Sequence, residues 1–349
     1  MEVDFLLIGQ GLAGTVLCHR LLQEGKRILV IDLPKANNSS RIAAGLYNPI
    51  TGKKMVRTWN ADLLFPEIEP LYKELEKFLK GKFLYAKPIY RPFLSIEEQN
   101  EWMGYSGEPA FSAYVASIFS ESQFAQVNDP YGGVMLKSSG YLDINTLLDL
   151  YSQFLKSQNL LLEERFEETQ LKKEDGSYIY GSIKAKNLVF CNGKDSASSR
   201  FFSNLPFAPV KGEVLDMHHD FTPDEIINRG VFRITLPNGT VRVGSTYSWH
   251  DLDQGPTERA KNELLEKLSK LIKGNDFRIA AHRTGIRPAT KDRRPFLGKH
   301  PTHESVYIFN GFGAKGVSLI PYYSKVMVAF MLEGKEPEKE VNITRLKQT

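Results

Sequence analysis

Three glycines within six residues, Gly9, Gly11 and Gly14, and an acidic residue further on, Asp32, are the densest chemical signal in the chain. Glycine at these intervals clears side chains from a tight turn, from a backbone stretch that can approach a pyrophosphate, and from the place where a helix packs on a strand. A carboxylate roughly twenty residues on accepts hydrogen bonds from a ribose diol and repels a 2′-phosphate. These residues together suit the grip of a dinucleotide. The motif alone leaves NAD and FAD both open.

The elements that must position them are legible on either side. Residues 3–8 are an apolar run of strand length, and after the glycines Val16, Leu17, Leu21 and Leu22 recur at helical spacing. A second apolar run, residues 27–31, ends on Asp32, so the opening of the chain predicts a strand–helix–strand unit. The helix start presents unpaired N–H groups and a partial positive charge to phosphates. Near the other end, residues 306–310 read as a strand that runs into Gly311, Phe312, Gly313, Ala314, Lys315, Gly316 and Val317 before a helical pattern to residue 332. That is a second strand, glycine loop and helix with free N–H groups. A third strand, residues 187–191, runs into Gly193, where backbone could also meet a cofactor.

At 349 residues the chain exceeds one core, and two intertwined domains are expected. Hydrophobic content of 42% and charged content of 25% describe an ordinary soluble globular protein, and a net charge of +4 is no nucleic-acid footprint. Lys53, Lys54 and Arg57 read as a solvated basic face. Cys18 and Cys191 read as small buried hydrophobes, which points to a reducing compartment without disulfides. The histidines lack metal-ligand spacing. The start of the chain carries no signal-peptide pattern, and the apolar stretch 317–332 is broken by Pro321 and Lys325 and too short to span a bilayer. A soluble cytoplasmic protein with no membrane partner is expected.

Between these landmarks the polar loop 34–41 leads into Ile42, Ala43, Ala44, Gly45 and Leu46, whose small side chains suit either a flat ligand or a helix start after a Ser cap. Residues 59–79 predict a helix with Leu63, Leu64, Ile68, Leu71, Leu75 and Leu79 on its apolar face. Residues 83–94 predict irregular strand, and 144–156 a helix capped by Asp143. A meander of 169–173 and 178–185 is expected around the turn at 174–177. A strand from Val210, a hairpin of 231–236 and 240–245 around Asn238-Gly239, and a helix over 256–273 form an antiparallel block foreign to a nucleotide-binding sheet. Arg287 precedes Pro288, which holds its backbone extended.

With these residues assembled, the sequence resembles the D-amino-acid oxidase family of flavoproteins, in particular its glycine oxidase and sarcosine oxidase branch. The resemblance rests on Gly9 to Gly14 with Asp32, on Ser39-Ser40-Arg41-Ile42-Ala43-Ala44-Gly45-Leu46, and on Pro209-Val210-Lys211-Gly212-Glu213. It continues through Val243-Gly244-Ser245, Gly285 to Asp292 with Pro295 and Gly298, and the closing glycine loop. It implies an α/β fold: a Rossmann-like FAD-binding domain built from 1–59, 141–208 and 276–349, with an antiparallel-sheet substrate domain from 60–140 and 209–275. It implies FAD contacts from Leu12, Ala13, Asp32, Leu33, Ser39, Ser40, Ala44, Gly45 and Leu46, an adenine end near Glu167, and a ring edge wrapped by Phe312, Gly313, Ala314, Lys315, Gly316 and Val317. The closing loop carries no cysteine to tether the flavin, so non-covalent FAD is expected.

Arg287 falls where the family places the arginine that pairs with the substrate carboxylate; an internal Asp or Glu is the alternative partner. A planar guanidinium fork suits two parallel bonds to a carboxylate. Ala314, with Lys315 beside it, stands where some glycine oxidases offer a second basic residue, a departure that argues against glycine itself. The implied activity is oxidation of a small carboxylate-bearing amine by hydride transfer to FAD, giving an imine that hydrolyses to an oxo acid, with dioxygen or another acceptor reoxidising the flavin. Arg287 and Lys315 are the substrate-binding candidates, and no catalytic base or metal ligand is assigned. The rival expectations are a 2-hydroxy-acid dehydrogenase, oxidation of a carboxymethylamino group on a modified tRNA base, an NAD-linked dehydrogenase, and a flavin-binding redox module without turnover.

Overall fold

The structure is a computed structural model that describes residues 1–33, 39–52, 54–274 and 276–346. Residues 34–38 of the polar loop, Lys53 of the basic cluster, and residues 275 and 347–349 lie outside them.

The opening unit forms as the pattern predicts. The strand Glu2–Ile8 is followed by the helix Leu12–Gln23 and the strand Ile28–Ile31, which pairs parallel with the first. Ile183–Phe190 pairs parallel with Glu2–Ile8 on its other side, and Val306–Asn310 pairs parallel with Ile183–Phe190. Both faces of this sheet are covered. Phe5, Leu7, Val30 and Val189 point into one core cluster, and Leu6, Ile8, Ile31, Leu188 and Phe190 into another, as the two-residue strand period requires. The helices Leu12–Gln23, Ile144–Ser157 and Gly316–Glu333 supply the first core. Asp143 caps the second of them by accepting from the Thr146 N–H at 3.2 Å.

The glycine turn explains why these elements close up. Gly9 has φ +103°, and a Cβ there would stand 2.8 Å from the Cys191 carbonyl oxygen. A Cβ on Gly14 would stand 1.9 Å from the Gly9 carbonyl oxygen. No side chain fits between helix, turn and neighbouring strand, so the helix start is held directly over the strand ends. Cys18 and Cys191 are both free and buried beside this turn.

The second large sheet runs in the order Arg278–Arg287, Val210–His218, Val241–Gly244, Val231–Thr235, Ile226–Arg229, Ile89–Pro92, Gly133–Leu136 and Val115–Phe119. It is antiparallel except between Ile226–Arg229 and Ile89–Pro92. Arg278–Arg287, grouped by sequence with the nucleotide-binding segments, is its edge strand, paired with Val210–His218 from Val210↔Arg287 to His218↔Arg278. Without that partner the N–H and C=O groups along one side of Val210–His218 would go unmet.

Two details depart from the pattern reading. The apolar stripe of the helix Ala61–Leu79 consists of Leu64, Ile68, Leu71 and Leu75, while Leu63, about 100° round the helix from Leu64, faces solvent at 50% exposure. This helix belongs to the core of the nucleotide-binding side, where Tyr72 Oη donates to the Val317 carbonyl at 3.1 Å. Residues 178–185 are not one strand: Gly181, at φ +56°, turns the chain between Ser177–Tyr180 and Ile183–Phe190. Among the described residues no helix is long and apolar enough to cross a membrane, and no group of His, Cys, Asp and Glu could hold a metal.

Candidate functional site

A cavity of about 1620 Å³ lies between the carboxyl ends of the parallel strands and one face of the antiparallel sheet. Pockets that hold a drug-sized ligand run roughly 300–1,000 Å³. The space therefore suits a large cofactor together with a small second molecule. Gly9, Gly11, Leu12, Ala13, Asp32, Leu33, Ser39, Ser40, Ala44, Gly45, Leu46, Glu167, Gly193, Arg287 and all of 312–317 line it. Gly14 alone of the expected residues does not, because it is packed behind the wall against Gly9.

The donor set fits a dinucleotide. Gly11 stands at the start of the helix Leu12–Gln23 in extended backbone, with no side-chain cap on that helix. The Leu12 N–H donates to Ser40 Oγ at 3.2 Å, which ties the second small-residue segment to the first. Asp32 ends the second parallel strand at the cavity, as the ribose role demands. At the far end Tyr180 Oη accepts from the Glu167 N–H at 3.2 Å and donates to the Arg165 carbonyl at 3.4 Å, holding 165–167 along the wall. At the other end Lys315 caps the helix Gly316–Glu333 without a side-chain hydrogen bond, so that helix start also faces the cavity with free donors.

Arg287 ends the edge strand at Val210, half-buried in the cavity wall. Its Nη1 donates to the Thr246 carbonyl at 3.2 Å and the Lys211 carbonyl at 3.4 Å, and its Nη2 to Ser245 Oγ at 2.8 Å. The guanidinium lies against Gly212, where a Cβ would come within 2.1 Å of Nη2, 2.3 Å of Cζ and 2.4 Å of Nη1. The Tyr247 ring also packs against it, with its centroid 4.4 Å from Cζ. Among the described residues no carboxylate lies within 4.0 Å of it. Burial pulls its pKa below the usual arginine range, against a smaller opposing effect of Tyr247. Among the described residues the internal ion pair is not formed, and their hydrogen bonds engage three of its five N–H donors; the two left over are the number that a carboxylate takes in a bidentate pair.

Lys315 is half-buried on the cavity and has no ion-pair partner among the described residues. Burial first, then the charges of Arg294 and Arg293, pull its pKa down. Its ammonium is available to a negative charge in the cavity.

Pattern reading missed several residues that build the site. Asn310, 2% exposed, donates through Nδ2 to the Gly193 carbonyl and to Ser196 Oγ, each at 2.9 Å, and accepts from the Gly311 N–H. It locks the two late glycine loops together, and its position at a strand end before a glycine was the available signal. Ser245 stood in the quoted motif Val243-Gly244-Ser245 and at the end of the expected hairpin, without a role; the strand ends at Gly244, and Tyr247 follows in a loop that gives no hint of a distant arginine. Gly212 stood inside a quoted motif, but its close approach is visible only with Arg287 in place.

Comparison with known proteins places this geometry. Residues 4–330 match the DAO family model, described as FAD dependent oxidoreductase. Over 136 residues the chain is 28% identical to glycine oxidase of Pseudomonas aeruginosa, a stretch that is 38% of this chain and 37% of that one. Over 367 aligned positions it is 29% identical to glycine oxidase of Pseudomonas putida, covering 97% of this chain and 96% of that one. The crystal structure of glycine oxidase from Geobacillus kaustophilus superposes with a TM-score of 0.78 at 18% identity, over 100% of this chain and 98% of that chain, and so shares its fold. With its glycine turn, Asp32 and closing loop around one cavity, the chain belongs to the DAO family of FAD-dependent oxidoreductases.

Proposed function

We propose that the protein oxidises a small amine that carries a carboxylate, with Arg287 as the anchor of the acid group. The observation that carries this reading is the guanidinium itself: half-buried in the cavity wall, held by Ser245, Thr246 and Lys211, and, among the described residues, free of any carboxylate and left with two unused donors. A fixed fork of this kind orients a bound acid, so the carbon next to the carboxylate takes one place relative to the cofactor. Bound FAD supplies the two-electron acceptor for the hydrogen on that carbon.

The rest falls to positioning. The amine reacts in its neutral form, and no side chain is assigned as a base. Lys315 and the free N–H groups at the start of Gly316–Glu333 oppose negative charge that develops in the cavity. FAD is held without a covalent link: burial pushes the Cys18 thiol up to about 12 and the Cys191 thiol higher, and a thiol so held is a poor nucleophile. The electron acceptor is dioxygen or another oxidant.

The test is anaerobic bleaching of the purified yellow protein by glycine, N-methylglycine, proline and the matching 2-hydroxy acids. At least one amine should bleach it, and Arg287→Met should slow that bleaching by a factor on the order of 100, since leaving a charge without its partner costs about 2–5 kcal/mol. Bleaching by hydroxy acids alone, by nothing, or equally well in Arg287→Met overturns the reading.

A further inference from the structure

The geometry points to Tyr247 as a specificity-determining residue: with Gly212 it makes a slot that admits a planar carboxylate to Arg287 and turns away tetrahedral oxyanions such as sulfonates and phosphonates. This rests on the reading of Arg287 as the acid anchor and narrows it.

The strand at Gly212 closes one face of the guanidinium, so near that a Cβ would stand 2.1 to 2.4 Å from three of its atoms. The Tyr247 ring has its centroid 4.4 Å from Cζ, and in the proposed slot it closes the face that the strand leaves open. A bidentate carboxylate shares the plane of the guanidinium. It enters edge-on and touches neither cover. A sulfonate or phosphonate that offers two oxygens in that plane carries a third outside it, directed at the ring or at the strand. The strand resists displacement, because Gly212 is paired with Gly285 inside a ladder that runs from Val210↔Arg287 to His218↔Arg278, and its neighbour Lys211 is bonded to Ser248 on the other edge.

The ring is held in place although its outer side is open, with Tyr247 55% exposed. Its neighbours on both sides are pinned to Val210–His218. Thr246 Oγ1 accepts from the Glu213 N–H at 3.0 Å, and Ser248 exchanges backbone hydrogen bonds with Lys211 at 2.8 and 3.0 Å. The far end of the same segment is fastened where Lys211 Nζ donates to the Gly255 carbonyl at 2.7 Å and the Thr257 N–H donates to Glu213 Oε2 at 2.8 Å. Lys211 and Glu213 are 2% exposed, so these anchors are built into the sheet. The segment is a strap across the cavity, with Tyr247 over the arginine.

The experiment titrates the flavin-loaded protein with acetate and with methanesulfonate and reads the visible flavin bands. Wild type should bind acetate at least tenfold more tightly than methanesulfonate. Tyr247→Ala should shrink that ratio at least fivefold, and Tyr247→Phe, which keeps the ring, should preserve it. An unchanged ratio in Tyr247→Ala, or a wild-type ratio near one, overturns the inference. Should Tyr247→Ala lose its flavin, Tyr247→Leu takes its place; loss in both overturns the proposal, which requires the ring to lie outside the core. Arg287→Met separates the two readings. If it abolishes the acetate response while Tyr247→Ala leaves the ratio alone, only the slot fails. If it leaves the acetate response intact, or if wild type answers to neither acid, the anchor fails and the slot with it.

Discussion

Replacing Gly212 by alanine tests whether the guanidinium of Arg287 sits where the structure puts it. The added methyl would lie 2.1 Å from Nη2 and 2.3 Å from Cζ, whereas ordinary contact begins near 3.4 Å. The guanidinium must therefore withdraw by about 1 Å, because the strand beneath it is held by its ladder with Arg278–Arg287 on one edge and by the bonds of Lys211 to Ser248 and of Glu213 to Thr246 on the other. Withdrawal lengthens the bonds to Ser245, Thr246 and Lys211 and carries the two free donors out of register. A misplacement of about 1 Å at a reacting centre costs on the order of 100-fold, or about 2.7 kcal/mol. Gly212 has no left-handed backbone, so alanine brings no strain of its own, and by restricting the unfolded chain it even stabilises by about 0.4–1 kcal/mol. The expected variant is thus folded and yellow, with a melting temperature close to wild type, and with acetate affinity and amine bleaching both reduced on the order of 100-fold. Acetate binding unchanged in a folded Gly212→Ala protein would refute the placement of the guanidinium and every step built on it.

Two further substitutions probe the scaffold. Asn310→Ala leaves the Gly193 carbonyl and Ser196 Oγ without their donor at a site 2% exposed, and should lower stability by about 1–3 kcal/mol and weaken FAD retention; a denaturation midpoint and a flavin-release assay check both. Asp4 is hydrogen-bonded by the Arg27 side chain at 3.0 and 3.3 Å, which holds its carboxyl well below the usual carboxylate range. A depressed carboxyl contributes stability above its unfolded value, 3.8, and loses it as pH falls toward the folded value. Asp4→Asn should therefore be less stable than wild type at neutral pH, with the gap closing as pH drops below about 4, read from urea midpoints against pH.

The elements of the nucleotide-binding side were legible because their signals are local. Residues 3–8 announce a strand by an apolar run broken only at Asp4, and residues 5–8 of the observed strand are buried on both faces; the glycines announce a turn that only they can make. The helix Ile144–Ser157 and its Asp143 cap were readable for the same reason, since period and capping both act within a few residues. Residues 178–185 also held a local signal that the strand reading passed over, Gly181-Ser182, and the chain turns there into a hairpin with Tyr180 paired to Ile183. Elsewhere the reading failed where a distant partner decided the outcome. Arg278–Arg287 carries no label for the sheet it joins; the open edge of Val210–His218 chose it.

By itself the sequence determined the dinucleotide grip, since turn, helix start and Asp32 lie within about thirty residues of one another and their geometry follows from backbone rules. It also supplied an arginine with an extended backbone. Whether that arginine met an internal acid or kept its fork free, and what packed against it, was decided only by folding, which brings Gly212, Ser245 and Tyr247 around it from elements tens of residues away. Contacts of that kind depend on register between strands, and register is set by the pairing of whole edges rather than by any short run of residues.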